Sequence, residues 1–258
     1  MKTLEALIFD VDGTLAETER DGHRVAFNQA FQEFGLLWHW PVGLYGQLLR
    51  VAGGKERIRH YIQRYQPKFE AEDIDELVVA LHEAKAKHFQ ALVENHVIPL
   101  RPGVRRLIVA AQRQGVRLAI ATTSAKDSVI PLLEHLLGPD SPSWFEMIAA
   151  GDMVPTKKPA PDIYELIINA MALNPNNCLV IEDSQQGLEA ATAAGLTTVV
   201  TINDYTRYHV LDSARLVVNH LGEPNLPFKV LRGKANNAYY FSLDLAQTLL
   251  PPQASTPG

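Results

Sequence analysis

A single cysteine, Cys178, among 258 residues leaves no partner for an internal disulfide and no thiol pattern for zinc or redox chemistry. Long apolar runs are missing as well. No stretch approaches the roughly 20 residues needed to span a bilayer, and the first apolar residues meet acids too soon to form a signal sequence. The cytoplasm is therefore the expected compartment, and no membrane partner is expected. Positive charge is also scarce: 24 Lys and Arg stand against 29 Asp and Glu, a formal net charge of -5. That balance argues against nucleic acid as the main partner, because duplex binding relies on neutralising several phosphates with a basic surface. Any anionic ligand must be met by a local group of cations.

What is present begins near the N-terminus. Ala6, Leu7, Ile8 and Phe9 run directly into Asp10, which predicts a buried parallel strand whose C-terminal end opens into a site. Asp12 follows two residues later, Gly13 permits a tight turn, and Thr14 adds a hydroxyl. Paired acids at a strand end suit a hard cation and an anionic substrate. Surface turns and calcium loops also use Asp-x-Asp-Gly, so the pair alone does not decide. The calcium loop fits poorly, since Gly13 follows Asp12 directly and Thr14 stands where a third ligand belongs.

Residues 18–94 read as an inserted, all-helical cap domain. Val25, Phe27, Ala30, Phe31 and Phe34 recur at helical spacing, with Gly35 as a C-cap, and the Trp38-His39-Trp40-Pro41 patch is expected in a helical core. Gly53-Gly54-Lys55-Glu56-Arg57 is not a Walker loop, because Glu56 follows the lysine and Leu49 takes the place of the first glycine. Its amides, with Lys55 and Arg57, still suit an anion; the competing reading is a solvated charged helix face. His82 and Lys85, three apart, can share one side of a helix. His82, His88 and His96 lack the spacing of a metal site.

After Pro99 and Pro102 the pattern changes. A helix is expected from Gly103 to Gln114, then strands over 116–122, 145–150, 178–181 and 196–202, an edge strand over 215–218, and helices carrying Ile163 and Leu188 between them. This alternation predicts an α/β fold with a Rossmann-like, doubly wound parallel sheet that binds ligands beyond its strand C-termini. Asp162 is expected to N-cap the helix that follows it. The expected division is a core of residues 1–17 and 95–222, a cap of 18–94, and an extension over 223–258 whose end is disordered.

Taken in order, Asp10 with Asp12, Thr122 with Ser124, Lys158 before Pro159, and Glu182-Asp183-Ser184 resemble the four motifs of the haloacid dehalogenase-like (HAD) superfamily. Within it, Asp10–Glu19, Gly53–Ile58, His82–Lys85, Ala149–Val154 and Lys157–Tyr164 are similar to CbbY-type phosphatases of carbon-fixing organisms, which dephosphorylate xylulose 1,5-bisphosphate, an inhibitor of Rubisco. The resemblance implies Asp10 as nucleophile, forming an aspartyl-phosphate, and Asp12 as general acid and base. It implies Thr122 and Lys158 as the groups that steady the phosphoryl oxygens. Mg²⁺ would be held by Asp10, the Asp12 main-chain carbonyl and Asp183, with Glu182 ligating through water. Glu17, Gly53, Gly54, Lys55, Arg57, His82, Lys85, Thr123, Ser124 and Lys126 would hold the substrate, a small sugar bisphosphate. Neither nucleic acid nor an obligate protein partner is implied, and the expected state is a monomer. Two alternatives stand beside this reading: a β-phosphoglucomutase-like sugar phosphotransferase, and a non-catalytic binding protein on the same scaffold.

Overall fold

The computed structural model describes residues 3–51, 53–95, 97–124 and 126–252. The chain divides into two compact units, Met1–Ala16 with Leu100–Gly258, and Glu17–Pro99. The first is an α/β core. Its strands are β1 (Ala6–Phe9), β2 (Arg117–Ala121), β3 (Met147–Ala149), β4 (Cys178–Glu182), β5 (Thr197–Thr201), β6 (Leu216–Val218) and β7 (Val230–Gly233). They form one sheet in the order β3-β2-β1-β4-β5-β6-β7, with only β7 antiparallel to its neighbour. Every residue of β1 and β4 is buried, which is why both read as continuous apolar runs with no alternation, β4 up to its last residue, Glu182.

The register places the functional ends together. Phe9 is level with Ile120 on β2 and Ile181 on β4, so Asp10, Thr122 and Asp183 each leave the sheet at the same edge. From β1 the chain winds outward through β2 and β3, then returns to β4 and winds the other way. The reversal lies between β1 and β4, where open α/β sheets form their ligand crevice.

The core helices are α5 (Val104–Gln114), α6 (Lys126–Leu137), α7 (Asp162–Ala170), α8 (Gln185–Ala193) and α9 (Leu243–Leu249), counted after four helices of the second unit. Ile163, Tyr164 and Ile167 of α7 and Ala190 and Ala191 of α8 join Ile8, Ala119 and Val180 of the sheet in one buried cluster. α8 starts where Ser184 Oγ accepts from the Gly187 amide, an N-cap contributing about 1 kcal/mol. α7 differs from its expected start. Its N-cap is Pro161, and Asp162 is the first helical residue, its carboxylate accepting from the Thr156 amide across the preceding loop.

Beyond Gly222 the chain is more ordered than its composition indicates. β7 adds an antiparallel edge, α9 is N-capped by Ser242, and Arg106 of α5 fastens the segment by donating to the carbonyls of Gly222 and Phe241 and to Glu223. The tail expected to be disordered lies, from residue 253 on, outside the described residues.

The second unit is helical: a π-helical turn (Thr18–His23), then α1 (Arg24–Glu33), α2 (Val42–Leu48), α3 (Gly54–Tyr65) and α4 (Ile74–Glu94). Trp40 is fully buried, 4.7 Å from the Phe27 ring and 4.9 Å from the Phe31 ring. Asn28 fixes it by accepting from the Trp40 amide and donating to the Trp40 carbonyl. The tryptophan patch is thus packing. His39 is exposed, and His96 lies outside the described residues. Among the described residues no helix is long and apolar enough to cross a membrane.

Candidate active site

Lys158 organises the strand ends. Its Nζ donates to Asp10 Oδ1 at 2.9 Å, to Glu182 Oε1 at 2.5 Å and to the Ala121 carbonyl at 2.9 Å. Three neighbouring strands therefore converge on one ammonium, whereas the adjacent Lys157 is exposed. Burial alone would lower the Lys158 pKa, but Asp10 and Glu182 carry it well above the usual lysine range. Glu182 is committed on all sides. It also accepts from the Tyr164 hydroxyl at 2.8 Å and the Asp183 amide at 3.1 Å, and a Cβ on Gly187 would lie 2.0 Å from its carboxyl group.

Asp10, Glu182 and Asp183 bring carboxylate oxygens within 4.8 Å of one another, all buried. One lysine does not balance them. Burial, then Glu182, raise Asp10 to about 7 against the pull of Lys158. Burial, then Asp10 and Glu182, raise Asp183 as well. A hard divalent cation fits this donor set, because all-oxygen ligands and surplus negative charge are what such an ion requires. Asp12 lies apart from the cluster: its carboxylate accepts from Ser124 Oγ at 2.6 Å. Ser124, expected on the substrate, is the donor of this hydrogen bond.

Thr122 is fully buried at the end of β2. Its amide is committed to the Ala149 carbonyl and its Oγ1 accepts from the Ser124 amide, so it offers an anion its hydroxyl proton alone. Thr123 is exposed, and its carbonyl lies against Gly151, where a Cβ would approach to 2.3 Å. Lys126 is exposed at the start of α6.

The helical unit gathers cations of its own. Gly53, at φ +90°, opens α3, and Glu56 folds back against it. Gly54 packs on the His82 ring, where a Cβ would lie 2.6 Å away, so Lys55, at the next position, stays beside His82. Arg57 donates to the Leu48 and Val51 carbonyls and to the Tyr45 hydroxyl, which itself donates to Glu19 Oε2 at 2.6 Å. Lys85 Nζ lies 2.9 Å from His23 Nδ1 and over the Phe27 and Phe89 rings. Glu17 is half-buried just before the π-helical turn.

Burial first, then Lys85, Arg57 and His82, hold the His23 imidazole well below its usual pKa, so it faces Lys85 as a neutral acceptor. The unfolded chain then binds more protons than the folded one below about pH 6.5. Stability present above that pH should fall as acid is added, with a slope from this residue of at most about 1.4 kcal/mol per pH unit. Denaturant melts of wild type and His23→Gln across this range measure it. An identical slope in the variant would mean that His23 protonates in the fold as easily as outside it.

Several residues around these groups carry no local sign of their role. Tyr164, His23, Arg101 and Asn203 act through partners distant in sequence, such as Glu182 for Tyr164 and Gly13 for Arg101. Tyr164 falls inside a motif segment, which was its one available signal.

A family model for the haloacid dehalogenase-like hydrolases matches residues 4–195. The chain is 46% identical to the plasmid-encoded protein CbbY of Cupriavidus necator, over 87% of this chain and 88% of that one. It superposes on a CbbY mutant from Rhodobacter sphaeroides, solved with xylulose-(1,5)bisphosphate, with a TM-score of 0.72 and 40% identity, covering 84% and 95% of the two chains. A putative β-phosphoglucomutase from Thermotoga maritima matches with a TM-score of 0.63 at 26% identity, covering 77% and 86%. With its acids, lysine and threonine gathered at one edge of the sheet, the chain belongs to the haloacid dehalogenase-like hydrolases and is a phosphatase of the CbbY type.

Proposed function

We propose that this protein is a Mg²⁺-dependent phosphatase of sugar bisphosphates, with xylulose 1,5-bisphosphate as its substrate, acting in the cytoplasm through an aspartyl-phosphate on Asp10. The carrying observation is the Asp10–Lys158–Glu182 arrangement beside Asp183: a buried carboxylate at a strand end, steadied by a cation and lacking the charge to balance its neighbours. The bisphosphate is supported by the relative captured with xylulose-(1,5)bisphosphate at 40% identity.

The residues divide the work. Asp10 attacks phosphorus, and the leaving sugar oxygen takes a proton from Asp12, which Ser124 holds by its carboxylate. Water then attacks the aspartyl-phosphate, giving its proton to Asp12. Lys158 and the Thr122 hydroxyl steady charge on the phosphoryl oxygens. Asp10, the Asp12 carbonyl and Asp183 would hold Mg²⁺, with Glu182 behind them; the ion supplies Lewis-acid neutralisation of charge. In the helical unit, Lys55, Arg57, His82 and Lys85, with Gly53 and Gly54 at the start of α3, bind the second phosphate, and Glu17 the sugar hydroxyls. Thr123, Ser124 and Lys126 complete the substrate contacts. The enzyme needs no protein partner and works as a monomer.

A screen of phosphate release from sugar mono- and bisphosphates, with and without Mg²⁺, tests this. Release should be fastest from xylulose 1,5-bisphosphate and lost in chelator; interconversion of glucose phosphates without net release would instead establish the mutase. Arg57→Ala should slow bisphosphate hydrolysis by roughly 1.5–3 kcal/mol of lost charge-assisted hydrogen bonding, while a small aryl phosphate is hydrolysed almost as before. Because Arg57 also braces α2, unfolding midpoints should be compared alongside. Equal losses on both substrates would remove Arg57 from the second phosphate.

A further inference from the structure

Asn203, two residues beyond β5, holds Asp183. Its Nδ2 donates to Asp183 Oδ2 at 2.6 Å and reaches the Gly13 carbonyl at 3.5 Å. Its other end is fixed too. Oδ1 accepts from the Tyr205 amide at 2.9 Å and the Thr206 amide at 3.2 Å, and the Asn203 amide donates to Thr206 Oγ1 at 3.0 Å. An Asn side chain that accepts two backbone amides has its oxygen assigned, which turns the NH₂ group toward Asp183 and the Gly13 carbonyl.

The space around this contact is full. Gly13 has φ +84°, and a Cβ there would fall 2.6 Å from both Asn203 Nδ2 and Asp183 Oδ2. Arg101, buried at 4% exposure, joins the two loops concerned. Its guanidinium donates to the Gly13 carbonyl, to Thr201 at 3.2 Å and Ile202 at 2.6 Å just before Asn203, and to Asn219 at 2.7 Å. The turn that follows Asp12 and the loop that carries Asn203 are thereby held as one piece.

We propose that Asn203 is a positioning residue for cation binding: oriented by its own turn and anchored through Arg101, it fixes the rotation of the Asp183 carboxylate within the Asp10–Glu182–Asp183 cluster. This rests on the cation-dependent reading of the site. Groups that orient a metal ligand typically contribute 10- to 100-fold in metal affinity, because an unrestrained carboxylate must be ordered when the ion binds.

The test is calorimetric titration of Mg²⁺ into the full-length protein without substrate. Asn203→Ser keeps a short hydrogen-bonding side chain for the turn but cannot reach Asp183; affinity should fall about tenfold or more. Turnover at saturating Mg²⁺ should stay near wild type while the Mg²⁺ needed for half-maximal rate rises. Thr206→Val removes only the hydroxyl that the Asn203 main-chain amide meets and keeps both backbone amides that hold Asn203 Oδ1, so it should bind Mg²⁺ as wild type does. Unchanged affinity in Asn203→Ser, or an equal loss in Thr206→Val, overturns the assignment. Asn203→Thr serves for the same titration if the serine variant does not fold. A wild-type protein that binds Mg²⁺ but releases phosphate from no sugar phosphate would defeat the phosphatase reading and leave this measurement valid.

Discussion

Replacing Asp10 by asparagine is expected to lower phosphate release by about ten-thousandfold or more, because the amide is no nucleophile toward phosphorus. The fold should be unharmed. Asparagine keeps the shape of the side chain and an oxygen for Lys158, and it removes a buried acid that burial and Glu182 already push up to about 7. In chelator near pH 8 the variant should unfold at or above the wild-type midpoint, since an ionised Asp10 is a net cost there. Retained turnover would place the nucleophile elsewhere, and a collapsed midpoint would give Asp10 a structural role.

Lys158→Met is expected to remove both activity and stability. Lys158 is the cation shared by Asp10 and Glu182, with side-chain exposures of 5%, 11% and 1%. Breaking such a buried set by deleting one partner costs about 3–5 kcal/mol, because charge is left buried without compensation. The loss depends on pH in a definite sense. Asp10 has a folded pKa above its unfolded value, so it disfavours the fold increasingly as pH rises from about 4 to about 7. Lys158 holds that value down, and without it the window extends upward. The deficit of the methionine variant in metal-free denaturant melts should therefore be largest above pH 7 and shrink in acid. A constant deficit across pH would mean that Lys158 acts by packing, against the Tyr164 ring for instance.

How much of this was legible in the sequence depended on the range of each interaction. β1 and β4 announced themselves because burial on both faces leaves an unbroken apolar run in each, over 6–9 and 178–181, and the acids directly after those runs marked the site edge. β3 is shorter than the strand expected over 145–150, since its pairing ends where β2 does, at Ala121. β7 was invisible: all four residues are exposed, and its place is set by pairing with β6. The start of α7 was misplaced by one residue because Asp162 serves the Thr156 amide, not its own helix. In the site, the resemblance to the family motif, with its lysine directly before a proline, pointed to Lys158, but the partnership of Tyr164 with Glu182, or of Arg101 with four carbonyls, exists only after the sheet has formed.

The backbone pairing at the border of the two units has a bearing on how the molecule came to be assembled. Ala16 and Leu100 form an antiparallel bridge, and the Arg101 amide donates to the Leu15 carbonyl, so the chain leaves the core and re-enters it at one spot. An insertion with adjacent ends asks almost nothing of its host, and the entropy of closing the longer excursion grows only logarithmically with length. The helical unit is in this sense a cassette, whose length can change without re-registering the sheet.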